Sequence, residues 1–346
     1  MNLKFDWPRA HRFDITEGRI KQLPEDFVVI ERLPEEPCGE GEHLWLKVRK
    51  TGQNTQWLAK QLARWANVKP RDVSFAGLKD RQAVTEQTFS VHLPGKTDPD
   101  FSTLNIPNVE ILSATRHSRK LKTGQLIGNR FVIRIRDSQL PANLLEQNWQ
   151  QITEAGVPNY FGAQRFGMGG QNVEKGIQLL NGARFPRHLE SLFLSSVRSY
   201  LFNLLLAERV KAGTWNTLIP GDFAQFTEGK AGFYCEHPSA DDTERCVQGR
   251  LSPSGSLPGL SKDEFTALDD REGTVLESFQ TVIEALHAKK VSRHFRKFRV
   301  IPEQPHFEVI DGDPVISFFL PAGCFATSVI AELCQLTEGD GTECHE

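Results

Sequence analysis

The run Ser74-Phe75-Ala76-Gly77-Leu78-Lys79-Asp80-Arg81-Gln82-Ala83-Val84-Thr85-Glu86-Gln87 sets one carboxylate between two cations. Lys79 and Arg81 favour the ionised form of Asp80, and a lasting anion can act as a nucleophile or a base. A Lys-Asp-Arg triplet is equally at home as a solvated ion pair that contributes little to stability. The flanks separate the two readings. Val73 and Phe75 on one side, and Phe89 and Val91 on the other, read as apolar strand residues, and Gly77 permits a tight turn. Asp80 is therefore expected on a loop held by rigid strands, a common position for reactive groups.

Other chemistries leave no signature. The cysteines at 38, 235, 246, 324, 334 and 344 form no C-x-x-C pair and read as free thiols, and Cys235, His237, Cys246 and His294 match no zinc spacing. There is neither a G-x-x-x-x-G-K-[ST] loop nor a strand-anchored G-x-G-x-x-G. No metal and no nucleotide cofactor is expected, so side chains alone are assigned the chemistry.

A net charge of -3 hides segregation. Residues 111–136 hold Arg116, Arg119, Lys120, Lys122, Arg130, Arg134 and Arg136 and no acid. A second acid-free cluster interleaves Lys289, Lys290, Arg293, Arg296, Lys297 and Arg299 with His294, Phe295 and Phe298, whereas residues 300–346 carry nine acids and no Lys or Arg. Cations beside aromatics suit a nucleic acid, whose backbone is anionic and whose bases stack; alone, each cluster reads equally as a solvated face. Together they point to a polyanion bound locally.

The elements that must position these residues come from a chain of 346 residues, long enough for two or three domains, with 39% hydrophobic and 25% charged residues as in ordinary globular proteins. The first fifteen residues break any apolar run, and no membrane-spanning stretch occurs, so a cytoplasmic protein is expected. Strands are predicted at 27–31, 43–49, on both sides of Asp80, at 109–112 and at 131–136. A helix is predicted over 56–67, capped by Thr55 and stopped before Pro70. Helices follow at 143–155, 172–181, 188–211 and 273–288, with short strands and loops over 221–259. Strands return at 307–310 and 315–320 around Asp311-Gly312-Asp313, and a helix begins near Ala326. The class is α+β, without regular βαβ alternation.

Four more segments join the opening run: Pro24-Glu25-Asp26-Phe27-Val28-Val29-Ile30-Glu31, Asn129-Arg130-Phe131-Val132-Ile133-Arg134-Ile135-Arg136, Pro158-Asn159-Tyr160-Phe161-Gly162-Ala163-Gln164-Arg165-Phe166-Gly167, and Leu320-Pro321-Ala322-Gly323-Cys324-Phe325-Ala326-Thr327. From residue 24 to about 333 the chain resembles the TruD family of pseudouridine synthases, which convert a uridine of transfer RNA, number 13 in the D arm for bacterial members, to pseudouridine. The resemblance implies a pseudouridine synthase-type catalytic domain with a mixed or antiparallel sheet, residues 1–154 and 304–346, and an inserted, mostly helical α+β TRUD domain, residues 155–303. It implies that Asp80 is the catalytic aspartate and that Phe27, Asn129 and Phe325 form the substrate site. Phe131 is a further candidate that could equally be core. Lys79 and Arg81 are expected either to set the environment of Asp80 or to grip phosphate. The implied partner is tRNA, with no cofactor and no membrane, and the implied state is a monomer. Cys324 stands where relatives often have Ser.

Isomerisation of uridine breaks a C–N glycosidic bond and makes a C–C bond with the same base, so no redox step is needed. An ionised carboxylate can attack C1′, remove the 2′ proton or add to C6, and a proton must finally leave C5. Phe27 and Phe325 suit stacking walls for an unstacked base, and the Asn129 amide can read its edge. The segment 159–167 is expected at the domain junction, where Arg165 could meet phosphate or a buried carboxylate. Two alternatives stand beside this reading: a tRNA-binding, remodelling protein without chemistry, and a hydrolase pairing Asp80 with a second acid such as Glu86.

Overall fold

A computed structural model describes residues 3–229 and 231–336; Cys344 and the acids beyond residue 336 lie outside the described residues. After the two-residue strand β1 (Glu17–Gly18), apolar alternation builds β2 (Phe27–Arg32) and β3 (His43–Thr51). Helix α1 (Thr55–Trp65) is capped by Asn54, whose side chain accepts from the Gln56 and Trp57 amides, not by Thr55 as expected. Asn54 takes the extended cap backbone, which leaves the Thr55 hydroxyl free to turn inward. Strands β4 (Val73–Phe75), β5 (Val84–His92), β6 (Val109–His117) and β7 (Gly128–Arg134) follow, then α2 (Ala142–Ala155).

The middle of the chain holds β8 (Val157–Pro158), α3 (Gln171–Leu180), α4 (Arg187–Lys211), β9 (Asp222–Phe226), β10 (Gly232–Cys235), α5 (Ala240–Val247) and β11 (Leu251–Leu257). It ends with α6 (Thr266–Val275), α7 (Gln280–Ala288), β12 (His294–Lys297) and β13 (Arg299–Val300). Two expectations change here. The helix predicted over 273–288 is split by a 3-10 turn, Glu277–Phe279, and α5 occupies a stretch read as strand and loop. A capping box, Ser239 with Asp242, nucleates α5. The chain closes with β14 (Glu303–Ile310), β15 (Asp313–Pro321), α8 (Ala326–Leu333) and β16 (Gln335–Leu336), the last pairing with β1.

The large sheet runs β14-β15-β7-β2-β5-β3-β6, with β4 paired to β5. All its pairs are antiparallel except β2 with β5, so the sheet is mixed, as expected. One face is covered by two separate apolar blocks. Leu58 and Leu62 of α1 pack on Leu44, Leu46, Phe89 and Val91. Trp149 of α2 and Ile330 and Leu333 of α8 pack on Ile133, Ile316 and Phe318. A second sheet, β10-β9-β11-β12, lies against α4 in the middle segment. Leu3, Phe5, Trp7 and Ala10, from the start of the chain, pack on the core of that segment, with Trp7 stacked on Tyr160 at 5.8 Å. No helix among the described residues is long and apolar enough to cross a membrane.

Candidate active site

Period-two alternation places Phe27, Val29 and Glu31 on the same face of β2. The register sets Phe27 opposite Ile133, Val29 opposite Phe131 and Glu31 opposite Asn129. On the other side Val29 lies beside Thr85, and across β5 Lys50 faces Thr85 while Val48 faces Gln87. The apolar blocks thus leave a polar strip between them, made of Glu31, Lys50, Thr85, Gln87 and Asn129. The loop 77–83 joins β4 to β5 and carries Asp80 beside this strip.

The carboxylate of Asp80 is paired, but not with its sequence neighbours. Lys21 Nζ lies 2.8 Å from Asp80 Oδ2 and 4.2 Å from the centroid of the Phe27 ring. One ammonium thus touches both the anion and an aromatic face, a cation–π placement that orients the pair. Lys21 has φ of +60°, a left-handed backbone uncommon outside glycine. The next turn holds it there. Asp26 accepts from the Leu23 amide at 2.8 Å, and both its oxygens accept from Arg136 Nε, at 2.9 and 2.8 Å. Burial pushes the Asp26 pKa up, yet these donors and the charge of Arg136 outweigh it and leave the carboxyl below its ordinary value.

Lys79 points elsewhere. Its Nζ sits 2.6 Å from Glu31 Oε1, both side chains are almost wholly buried (5% and 1% exposed), and Glu31 Oε2 accepts from the Thr88 amide at 3.0 Å. The Lys79 amide donates to Thr55 Oγ1 at 3.1 Å, which donates to Gln87 Oε1 at 2.9 Å, and Gln87 Nε2 donates to the Gly77 carbonyl at 3.1 Å. These bonds fasten the start of the loop to α1 and β5. Lys50 Nζ donates to the Gln53 carbonyl at 2.6 Å and to the Asp80 carbonyl at 3.4 Å. Burial lowers its pKa to about 8, with the Asp80 charge opposing and the Lys79 charge adding to the fall. Arg81 is exposed and reaches the Gly52 carbonyl at 3.4 Å. From sequence, Lys79 and Arg81 are expected either to set the environment of Asp80 or to grip phosphate; the cation that pairs with the Asp80 carboxylate is Lys21, 59 residues away along the chain.

Phe27 is buried, with its ring 6.1 Å from Phe131, and Phe131 in turn lies 5.7 Å from Phe318. Phe131 packs as core and also touches Phe27. Thr85 Oγ1 and Asn129 Oδ1 are buried and have no hydrogen-bond partner among the described residues. Such groups call for a ligand or water. A paired anion, an aromatic face and two unsatisfied oxygens in one strip can orient a planar polar ring.

Phe325 lies where the middle of the chain meets the turn after β15. It precedes α8 and meets the edge of Phe161 at 5.9 Å, and a Cβ on Gly162 would come within 2.9 Å of Thr327 Oγ1 and 3.1 Å of the Phe325 ring. Ser328 Oγ donates to the Tyr160 carbonyl at 3.0 Å. The segment 159–167 therefore packs against the turn after β15 and the start of α8. Lys21 links Asp80 to Phe27, and Phe27 meets Phe131; Asn129 enters through the strand register, and Phe325 contacts Phe161 rather than any of these.

The basic clusters are less open than their spacing suggests. Arg116 pairs with Asp98, Arg134 and Arg136 with Asp313, and Arg130 donates to Ser317. Lys120 and Lys122 stay on an exposed loop. In the second cluster Arg293 pairs with Asp269 and Glu272, Arg299 donates to the carbonyls of Glu154, Ala155 and Cys246, and Phe298 is core. Lys289 and Lys290 are exposed. Sequence reasoning gave no site role to Lys21, Lys50, Glu31 or Thr55, although Glu31 ends the 24–31 motif and Lys21 lies three residues before it.

Comparison with known proteins agrees in every direction. The family described as tRNA pseudouridine synthase D (TruD) matches residues 10–183 and 170–333. A tRNA pseudouridine synthase D of Methylococcus capsulatus is 44% identical over 335 residues, covering 95% of this chain and 94% of that protein. The Hydrogenovibrio crunogenus protein of the same name is 41% identical over 325 residues, 92% of each chain. A Pseudomonas aeruginosa counterpart is 42% identical over 345 residues, 97% of this chain and 96% of the other. In fold, the chain is similar to the crystal structure of a putative tRNA pseudouridine synthase D from Methanosarcina mazei, with a TM-score of 0.69 at 21% identity over 94% of this chain and 95% of that one.

Proposed function

This chain belongs to the tRNA pseudouridine synthase D (TruD) family, isomerases that act on tRNA, and from that premise we propose that it converts uridine 13 of the D arm with Asp80 as nucleophile or base. The observation that carries the reading is the pairing of Asp80 with Lys21 above the Phe27 ring. The cation aims the carboxylate, and the ring offers a face to an unstacked uracil. Phe27, Asn129 and Phe325 bind the substrate in this reading, and Lys79 serves the loop through Glu31.

In each version of the reaction the carboxylate acts first on the nucleoside, at C1′, at the 2′ proton or at C6. The N1–C1′ bond breaks, the uracil turns within the pocket, the C5–C1′ bond forms, and the proton on C5 leaves. The unpaired oxygens of Thr85 and Asn129 suit the N–H groups of a uracil that changes orientation. Residues 1–154 and 304–346 form the catalytic domain in this proposal and 155–303 the insertion, with residues 3–10 clasping the insertion.

Pseudouridine mapping at nucleotide resolution in cells lacking the gene tests the position: loss at uridine 13 supports it, and loss elsewhere rejects it. For the residue, Asp80→Asn should retain tRNA binding and form no product. Unchanged product formation would remove Asp80 from the chemistry.

A further inference from the structure

Two guanidinium groups meet at the domain junction without an acid. Arg296, on β12, donates through Nε to the Asn159 carbonyl at 3.1 Å, through Nη2 to the Asn159 side chain, and through Nη1 to the Gly323 carbonyl at 2.9 Å. Its Cζ lies 4.0 Å from the centroid of the Phe161 ring. Arg165 lies 5.6 Å from the same ring; its Nε is buried without a partner, and among the described residues its guanidinium makes no hydrogen bond or ion pair. The sequence left two partners open for Arg165, a buried carboxylate or a phosphate, and no carboxylate of the described residues is there.

Burial disfavours the charge on both groups, and it lowers the Arg296 pKa to about 10, with the neighbouring Arg165 adding to the fall. Both remain cations at neutral pH. The Cys324 thiol beside them is no counter-ion, because burial raises its pKa above the ordinary thiol value. A cation kept out of water with open N–H groups is completed by an anion, and the side of Arg296 that reaches Gly323 is exposed, so an anion has a way in.

We propose that Arg165 and Arg296 grip a phosphodiester of the bound RNA next to Phe325. Paired guanidinium forks match the tetrahedral oxygens of a phosphate, and Phe161 keeps both planes in place. The Asn159 bonds lock Arg296, so that Arg165 is the member free to close on the ligand. The proposal rests on the proposed function, since it takes the anion from the tRNA backbone.

Titration of a tRNA transcript containing the D arm, over a series of NaCl concentrations, tests it. Arg165→Met should raise Kd about tenfold and reduce the magnitude of the log Kd against log salt slope by about one, the signature of one lost phosphate contact. Arg165→Lys keeps the charge and should keep the slope while weakening binding. The Arg165 side chain donates to no described residue and its buried charge is unpaired, so Arg165→Met should keep or raise the wild-type thermal midpoint and Arg165→Lys should keep it. Wild-type affinity and slope in Arg165→Met would overturn the proposal, as would equal slope losses in the Met and Lys variants. If the wild-type protein neither binds nor modifies the transcript, the proposed function falls and this site with it. If the wild type does both and Arg165→Met matches it, the anion site alone falls.

Discussion

Lys21 donates to Asp80 at 2.8 Å while its ammonium sits over the ring of Phe27. A single side chain thus fixes the anion and the aromatic face relative to each other, and it does so from a left-handed backbone pinned by the Asp26 and Arg136 pair.

Replacing Lys21 by Met should lower kcat about 100-fold, the cost of a misplaced reactive group, with a smaller change in KM. Lys21→Arg should recover part of the loss because the charge remains. Single-turnover rates on a tRNA transcript measure this, and a wild-type rate in Lys21→Met would show that Asp80 needs no such partner.

Lys79 and Glu31 form a buried pair, so removing one member strands the other. Lys79→Met should destabilise the protein by about 3 to 5 kcal/mol, whereas the double change Lys79→Met with Glu31→Leu should lose much less. Urea unfolding gives both values. Equal losses in the single and double variants would mean that the charges are not coupled.

The folded pKa of Lys50, about 8, lies below its ordinary 10.5. Below pH 8 both states hold the proton and the cost of burying the charge is fully present; between 8 and 10.5 the unfolded chain binds more protons, so stability rises with pH. Relative to Lys50→Met, the wild type should gain about 3 kcal/mol across that window. Urea midpoints of the two proteins at the ends of the window decide it, and parallel pH profiles would refute it.

Thr85 carries a buried hydroxyl without a partner among the described residues. Thr85→Val keeps the shape and removes the unsatisfied group, so stability should hold or rise by about 1 kcal/mol. Product formation should fall if the hydroxyl meets the substrate. A marked loss of stability would show that the hydroxyl has a protein partner.

The local part of this architecture could be read from sequence. Strand alternation around Asp80, Asp311-Gly312-Asp313 as a hairpin turn and the apolar stripe of α4 depend on neighbours a few residues apart. The partners of charged side chains depend on register and packing instead. Nothing in residues 79–81 announces that Lys79 turns to Glu31 and leaves Asp80 to Lys21. The cluster at 289–299 looked free because its acids, Asp269 and Glu272, sit on α6, a different element. The Ser239 and Asp242 box is a helix start visible in sequence, but the glycines and prolines around it outweigh so short a signal.

The place of β15 beside β7 has a consequence for biosynthesis. On the ribosome, every strand of the large sheet up to β7 is made before the middle segment, but the hairpin that covers the free edge of β7 comes only at residues 303–321. Until then the nascent chain shows an unpaired edge rich in Phe131, Val132 and Ile133, the kind of surface that recruits other strands. Chains that stall before residue 321 will therefore be targets for chaperones and proteases, and the edge of β7 is closed only once β15 has emerged from the exit tunnel.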